Sequence, residues 1–599
     1  MTDAPQPHAE YSARLEARTA VEHGLNGRHE QLANLRLATI GLAVVVAWLV
    51  LVRHDGSAAW ILVPVGAFLG LAFWHDRVLQ ARDRASRAVQ HYSQGLARLE
   101  GRWTGSSEAG ERFLKPDHPY AADLDLFGRG SLFELIATAR IRAGEETLAQ
   151  WLLAPATPQE IHARQGAVAE LRPRLDLRED LAVLGGSPGA GVETARLVAW
   201  GAAPPVMVLR WPPIFAAVLG AMTSLAALGW AFDELSPVPF AVLVAVEIAF
   251  SIAMRPRVRA IIGAVDGPAR DLALLSEVLA RVEHEPVSSS KLAKLRALLE
   301  ITGRPPSHRI RDLRRLVDLL NSRQNQLFAP VAAIMLWTPQ VAFAIDRWRA
   351  RSGPHLGRWL EALGEFEALC SLAGYAYEHP TDPFPQLDDA GGAAVFDGED
   401  LAHPLLDPAR AVPNSVSLVD PKRLLIVSGS NMSGKSTLLR TVGVNAVLAL
   451  TGAPVRARRL RLSPLAIGAT LRVQDSLMAG QSRFFAEITR IRAIVGLTDG
   501  PLPVLFLLDE LLSGTNSHDR QHGAEAILAG LLDRGAIGLV TTHDLALSSI
   551  ADRLQPRAAN VHFADEFRAG ELTFDYRMRP GVVTTSNALA LMRAVGLRV

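Results

Sequence analysis

Leu424–Thr437 reads LLIVSGSNMSGKST. Leu424 to Val427 are four apolar residues in a row, which predicts a buried strand, and from Ser436 onward STLLRTVGVNAVLAL spaces its apolar residues as a helix does. Between strand and helix lies a turn that fits G-x-x-x-x-G-K-[ST], the context a phosphate-binding loop requires. Gly429 and Gly434 let the backbone from Gly429 through Ser430, Asn431, Met432, Ser433 and Gly434 wrap N–H groups around a phosphate. Lys435 reaches β- and γ-phosphates, and Ser436, followed by Thr437, offers its hydroxyl to Mg²⁺ at the positive end of the helix. The implied cofactors are ATP and Mg²⁺.

Three later stretches extend the site. Pro503–Glu510, PVLFLLDE, predicts a buried strand ending in two carboxylates, of which Asp509 would hold the metal and Glu510 would orient an attacking water. Ile537–His543, IGLVTTH, predicts another apolar strand and delivers an imidazole at its carboxyl end, where open parallel sheets bind ligands. A lone histidine is more often a structural hydrogen bonder; next to the other stretches, His543 is a candidate for sensing the γ-phosphate. Asp475–Glu487, DSLMAGQSRFFAE, says little alone, and a helix-like run follows it from Ile488 to Val495.

Together these four stretches resemble the carboxyl-terminal ATPase domain of the MutS family, the DNA mismatch-repair ATPases. The family loop G-P-N-M-x-G-K-S-T is matched by GSNMSGKST, with Ser430 in place of the proline. The family signature D-x-x-x-x-G-x-S-T-F-x-x-E is matched at Asp475, Gly480, Ser482, Phe484 and Glu487, with Arg483 in place of the threonine. In DELLSGTNSHD, Asp509, Glu510, Gly514, Thr515 and Asp519 match, whereas Leu512 and Ser513 depart. The resemblance implies that Ser482 reaches the γ-phosphate held by a partner subunit, and hence a homodimer through the ATPase domains with composite sites. It also implies DNA as a partner.

The totals point elsewhere as well. The chain has 599 residues, 49% of them hydrophobic, and a formal net charge of +1. Its apolar content is high for a soluble protein of this size, and no global basic excess marks a nucleic-acid binder. The single cysteine, Cys370, excludes an intramolecular disulfide and any multi-cysteine metal site; within FEALCSLAGYAY it reads as a buried core thiol.

The apolar excess is concentrated in two pairs of runs. Leu37–Val52 and Gly56–Trp74 are uncharged and, as helices, cover roughly 24 and 28 Å against a hydrocarbon core of about 30 Å. Trp211–Phe232 and Leu235–Met254 form the second pair. Arginines flank the outer ends of both pairs (Arg28, Arg36, Arg77, Arg82, Arg210, Arg255), which predicts two transmembrane hairpins with both termini in the cytoplasm. A signal peptide is not expected, because the first run starts late and a second follows it. Glu247 reads as a carboxyl packed between helices or near a helix end rather than as part of a pathway. A fifth apolar stretch, Leu327–Ile345, contains Pro330 and Pro339. Another crossing would put the nucleotide site outside the cell, so this stretch reads as a buried helical element.

Asp123–Leu181 looks like the start of the MutS core and lever region, Leu363–Leu387 like its end, and HPLL from His403 like the approach to the ATPase. No mismatch-reading domain is found. The expected fold is an α/β P-loop ATPase domain preceded by a mostly helical core and lever region carrying two transmembrane hairpins. The boundaries are a lead-in at 1–36, a hairpin at 37–76, a helical linker at 77–119, a core start at 120–200, a second hairpin at 201–256, a helical core at 257–390 and the ATPase at 391–599. The expected function is a membrane-anchored MutS-like ATPase coupled to DNA. The rivals are a nucleotide-switched membrane scaffold that binds no DNA and an ABC-type transporter; DSLMAGQS departs from the transporters' L-S-G-G-Q pattern.

Overall fold

The computed structural model describes residues 6–54, 57–185, 194–207, 211–300, 303–324, 328–389, 392–430, 432–472, 483–512, 517–568 and 571–583. Helices α1 (Pro7–Leu51) and α2 (Leu62–Leu99) form an antiparallel pair. Tyr11 packs edge-on against Tyr92 at one end of the pair, and Arg36 and His29 both bond the His75 ring further along, at 2.9 and 2.7 Å. The lead-in is therefore not separate from the first apolar run, because one unbroken helix carries both.

Short helices follow: α3 (Leu132–Ile136), α4 (Arg142–Leu153), α5 (Pro158–Leu171), α6 (Leu175–Leu184) and α7 (Thr194–Ala202). Ser131 caps α3 by accepting from the Glu134 N–H, and Thr157 caps α5 from the residue before a proline. Next come α8 (Trp211–Ala231) and α9 (Pro237–Glu283), whose 47 residues extend the fourth apolar run far beyond Met254. Four described helices, α1, the one ending at Leu99, α8 and α9, are long and apolar enough to cross a membrane. Their apolar residues face outward: Leu37, Leu62 and Leu225 are about 70% exposed, a surface that water disfavours.

Helices α10 (Ser290–Leu299), α11 (Pro306–Asn321), α12 (Ala329–Ile334), α13 (Trp337–Ser352) and α14 (Leu356–Glu378) complete the helical region. The fifth apolar stretch breaks at Leu336, which has φ 48°, into α12 and α13. Its burial is partial: Val341, Ala342, Phe343 and Ile345 are buried, but Val331 and Met335 on the α12 side remain exposed. Most of α14 is buried, Cys370 included, and α14 packs on α4, α5 and α10. Burial pushes the Cys370 thiol up to about 12, so it stays protonated.

The carboxyl-terminal part is α/β: β1 (Gln386–Leu387), β2 (Phe396–Leu401), β3 (Asn414–Leu418), β4 (Leu424–Ser428), α15 (Lys435–Thr451), β5 (Arg459–Leu462), β6 (Ala466–Thr470), α16 (Arg483–Leu497), β7 (Val504–Leu508), α17 (Ser517–Asp533), β8 (Ile537–Thr542), α18 (Leu545–Arg553), β9 (Ala558–Arg568) and β10 (Glu571–Pro580). Among the described residues they build a sheet ordered β1-β5-β2-β3 and a second ordered β10-β9-β4-β8-β7-β6. In the second sheet β4 pairs in parallel with β8 and β9, and β7 with β6 and β8; β10 is antiparallel.

Strands β4, β7 and β8 are buried along their length, as uninterrupted apolar runs in a covered parallel sheet must be. The alternation of side chains sorts them between two cores. Leu425 and Val427 join the core shared with α15 and the helical region, while Leu424 and Ile426 join the one under α16 to α18. The first face thus ties the sheet to the helices that precede it.

Candidate nucleotide site

The turn between β4 and α15 lies at the carboxyl end of β4, between neighbours β8 and β9. Gly429 has φ 151° and Gly434 φ 103°, and a Cβ on Gly429 would stand 2.9 Å from Ser433 Oγ and 3.0 Å from Phe563 O. Only glycine allows so tight a cradle. Ser430, Met432, Ser433 and Gly434 complete the described turn; Met432, at φ 68°, is turned outward and 87% exposed. Asn431 lies outside the described residues.

Lys435 begins α15, is buried, and donates from Nζ to the carbonyls of Gly429 at 2.8 Å and Ser430 at 2.7 Å. Burial pulls its pKa below the ordinary lysine value, against the pull of Glu510 and Asp509. Ser430 Oγ and Ser433 Oγ are buried without a hydrogen-bond partner. A glycine cradle, two orphaned hydroxyls, a buried ammonium and a helix amino terminus together make a donor set that fits a phosphate. Ser436 and Thr437 stand in the first turn of α15, where a hydroxyl for a cation is expected.

The two acidic residues follow β7. Asp509 donates its backbone N–H to Thr470 O at 3.0 Å and accepts a short bond on Oδ1 from the Thr541 hydroxyl. The same hydroxyl oxygen accepts the Glu510 N–H at 2.9 Å. Thr541 on β8 thus fixes both carboxylate-bearing residues from one atom. Glu510 has φ 49°, a strained turn for a non-glycine residue, and its Oε1 stands 3.8 Å from Nδ1 of His543 just past β8. The structure therefore brings Lys435, Asp509, Glu510 and His543 to one end of the sheet.

Of the signature stretch, Asp475, Gly480 and Ser482 lie outside the described residues, as do Gly514 and Thr515. Phe484 and Glu487 lie on α16, and Glu487 accepts the Leu512 N–H beyond the acidic pair.

The family model of MutS domain V matches residues 425–598. The DNA mismatch repair protein MutS of Natronomonas pharaonis is 33% identical over 241 residues, which cover 39% of this chain and 27% of that protein. Residues 425–598 of this chain are thus similar to domain V of the MutS family. The endonuclease MutS2 of Anaeromyxobacter sp. (strain Fw109-5) is 33% identical over 40% of this chain and 30% of its own length, and the DNA mismatch repair protein MSH6 of Arabidopsis thaliana is 32% identical over 41% and 20%. The chain thus spans about a quarter of the length of these relatives.

Two features of this chain with its MutS-like carboxyl-terminal part escaped the sequence. A cavity of about 490 Å³ opens beside Gly434 and Thr437 and is walled by His403, Arg410, Asn414, Phe563 and Tyr576. Its walls come from four separate segments, so no local pattern announces it; HPLL marked His403 only as a landmark. The other is Asp123, buried at 1% exposure, which reaches into the α/β part from the helical region.

Proposed function

We propose that this chain is a membrane-anchored MutS-type ATPase that binds ATP at the β4–α15 turn, hydrolyses it as a homodimer and couples that cycle to DNA. The observation that carries the nucleotide reading is the convergence of Lys435, the orphaned Ser430 and Ser433 hydroxyls and the Asp509–Glu510 pair at one sheet end. The cavity walled by His403, Phe563 and Tyr576 is of a size for the nucleoside, with the phosphates running over Gly434 into the cradle.

In this reading a phosphate draws the Lys435 ammonium from the loop carbonyls that it now bonds, and Ser430 and Ser433 gain the partner they lack. Ser436 and Asp509 would hold Mg²⁺, which supplies neutralising charge to the phosphates when bound. Glu510 orients the attacking water, and His543, within reach of Glu510, senses the γ-phosphate with Asn431. Ser482 contacts the γ-phosphate of the partner subunit. Anchoring rests on the four long helices whose apolar faces point outward. DNA as the coupled partner rests on the names of the relatives, two of which are mismatch repair proteins.

ATP turnover of the detergent-purified protein, with and without duplex, mismatched and branched DNA across a salt series, tests the reading. Stimulation that weakens as salt rises is expected from phosphate contacts. Turnover indifferent to every DNA would leave a nucleotide-switched scaffold.

A further inference from the structure

Helix α9 carries a stripe at Ile248, Ile252, Arg255 and Arg259, spaced four, three and four residues apart and therefore on one face. This stripe lines a cavity of about 670 Å³ closed on the other side by α12 and the turn at Leu336, with Arg323 at its rim. The cavity is two-toned. Its lower half, where Val244, Ile248 and Ile252 stand beside Glu247 and Ser251, is mostly apolar and lies within the run that reads as a membrane span, whereas its upper half presents Arg255 and Arg259 just beyond that run, joined by Arg323. None of Arg255, Arg259 and Arg323 forms an ion pair with a carboxylate among the described residues. Further along the same helix Arg281, by contrast, pairs with Asp180 at 2.6 Å.

Glu247 lines the mostly apolar end, is 5% exposed, and its Oε1 is buried without a hydrogen-bond partner. It sits eight residues, or about 12 Å along the helix, from Arg255. The end of the cavity that attracts an anion is therefore the arginine end, well separated from this carboxyl.

We propose that this cavity binds an anionic phospholipid from the cytoplasmic leaflet, with an acyl chain along Ile248 and Ile252 and the phosphate on Arg255, Arg259 and Arg323. The proposal rests on the membrane-anchored reading. Charge complementarity selects the occupant: three unpaired guanidiniums match a phosphate, and the apolar half at hydrocarbon depth matches an acyl chain. A soluble phosphate would leave the apolar half empty. Because the lipid would bridge α9 to α12, it would also tie the span to the helical region that packs on the α/β part.

The test is native mass spectrometry of the full-length protein, extracted in detergent and offered phosphatidylglycerol, phosphatidylcholine or inorganic phosphate. Retention of phosphatidylglycerol roughly tenfold or more above phosphatidylcholine is expected, and each of Arg255→Gln, Arg259→Gln and Arg323→Gln should lower it about fivefold. Arg257→Gln is the control, since Arg257 is exposed on the same helix but lies off the cavity, and its retention should equal wild type. Ile252→Trp fills the apolar half without changing charge and should also reduce retention. An equal loss in Arg257→Gln, or displacement of the lipid by inorganic phosphate, would overturn the site. Release of the chain from membranes by alkaline carbonate without detergent would instead overturn the anchoring; a chain that stays in the membrane but shows no lipid preference overturns only the lipid site.

Discussion

Asp123 accepts the backbone N–H of Leu471 at 2.7 Å. The same carboxylate oxygen accepts the Arg472 N–H at 2.9 Å, and its other oxygen pairs with Arg490 on α16. The loop around Asp123 also receives Arg440 of α15, whose Nε donates to the Asp123 carbonyl at 3.3 Å. One buried side chain from the helical region thus holds the end of β6 and helix α16, the elements that flank the signature stretch. Asp123→Ala would leave two N–H groups and the Arg490 charge without their acceptor, a loss of about 3 kcal/mol or more for a buried pair broken on one side. Asp123→Asn keeps one acceptor oxygen and should cost less. Urea unfolding reads this directly; a midpoint unchanged in the alanine variant would refute the clamp.

The acidic pair makes a sharper prediction about chemistry. If Glu510 orients the attacking water, Glu510→Gln should bind ATP normally and hydrolyse it at least about 100-fold more slowly. Lys435→Ala should instead fail to bind nucleotide, because the buried ammonium is the cation nearest the cradle. Equilibrium binding of a fluorescent ATP analogue separates the two, and wild-type turnover in the glutamine variant would remove Glu510 from its assigned role.

His403 makes stability depend on pH. Burial, with Arg440 adding, lowers its pKa from 6.5 to about 4, and its Nδ1 accepts the Leu405 N–H at 3.2 Å, which requires the neutral ring. The unfolded chain takes up a proton near pH 6.5 that the folded chain refuses until about 4. Stability is therefore intact above pH 6.5 and is lost as pH falls through this window, by up to about 3 kcal/mol. His91 is lowered in the same sense, so His403→Gln should shallow the acid decline without abolishing it. Thermal midpoints measured from pH 7 to 4 test this; parallel curves for variant and wild type would contradict it.

The parts that could be read from the sequence are those in which one local pattern suffices. Leu424–Val427, Val504–Leu508 and Ile537–Thr542 are apolar runs that end in chemistry, and a covered parallel strand has no other way to be written. Thr541 is different. It was visible only as part of a strand, because its task is set by register: β8 must lie beside β7 for one hydroxyl to meet Asp509 and Glu510. Asp123 is more distant still, since its partners lie over 340 residues away and nothing in DLDL foretells them. The continuous α1 and α9 were missed for the opposite reason. Apolar runs delimit where hydrocarbon would cover a helix, not where its hydrogen-bonded backbone stops, and both helices run on through polar sequence.

The topology follows from where those long helices turn. Asp233 has φ 58° and sits in the short connection between α8 and α9, with the exposed Phe232 beside it. If both pairs cross a bilayer as hairpins, this connection lies across the membrane from the α/β part, because one crossing separates it from each end of its hairpin and two crossings return the chain to the side it left. A reporter inserted at Asp233 and one fused after Val599 should then report opposite compartments, with the Val599 fusion in the cytoplasm, where ATP is available. An insertion near His54, which has φ 55° between α1 and α2, should behave like the one at Asp233. Cytoplasmic signals from all three positions would mean that the apolar faces of these helices are covered by protein instead of lipid. The exposed Leu37, Leu62 and Leu225 would then belong to an interface between chains.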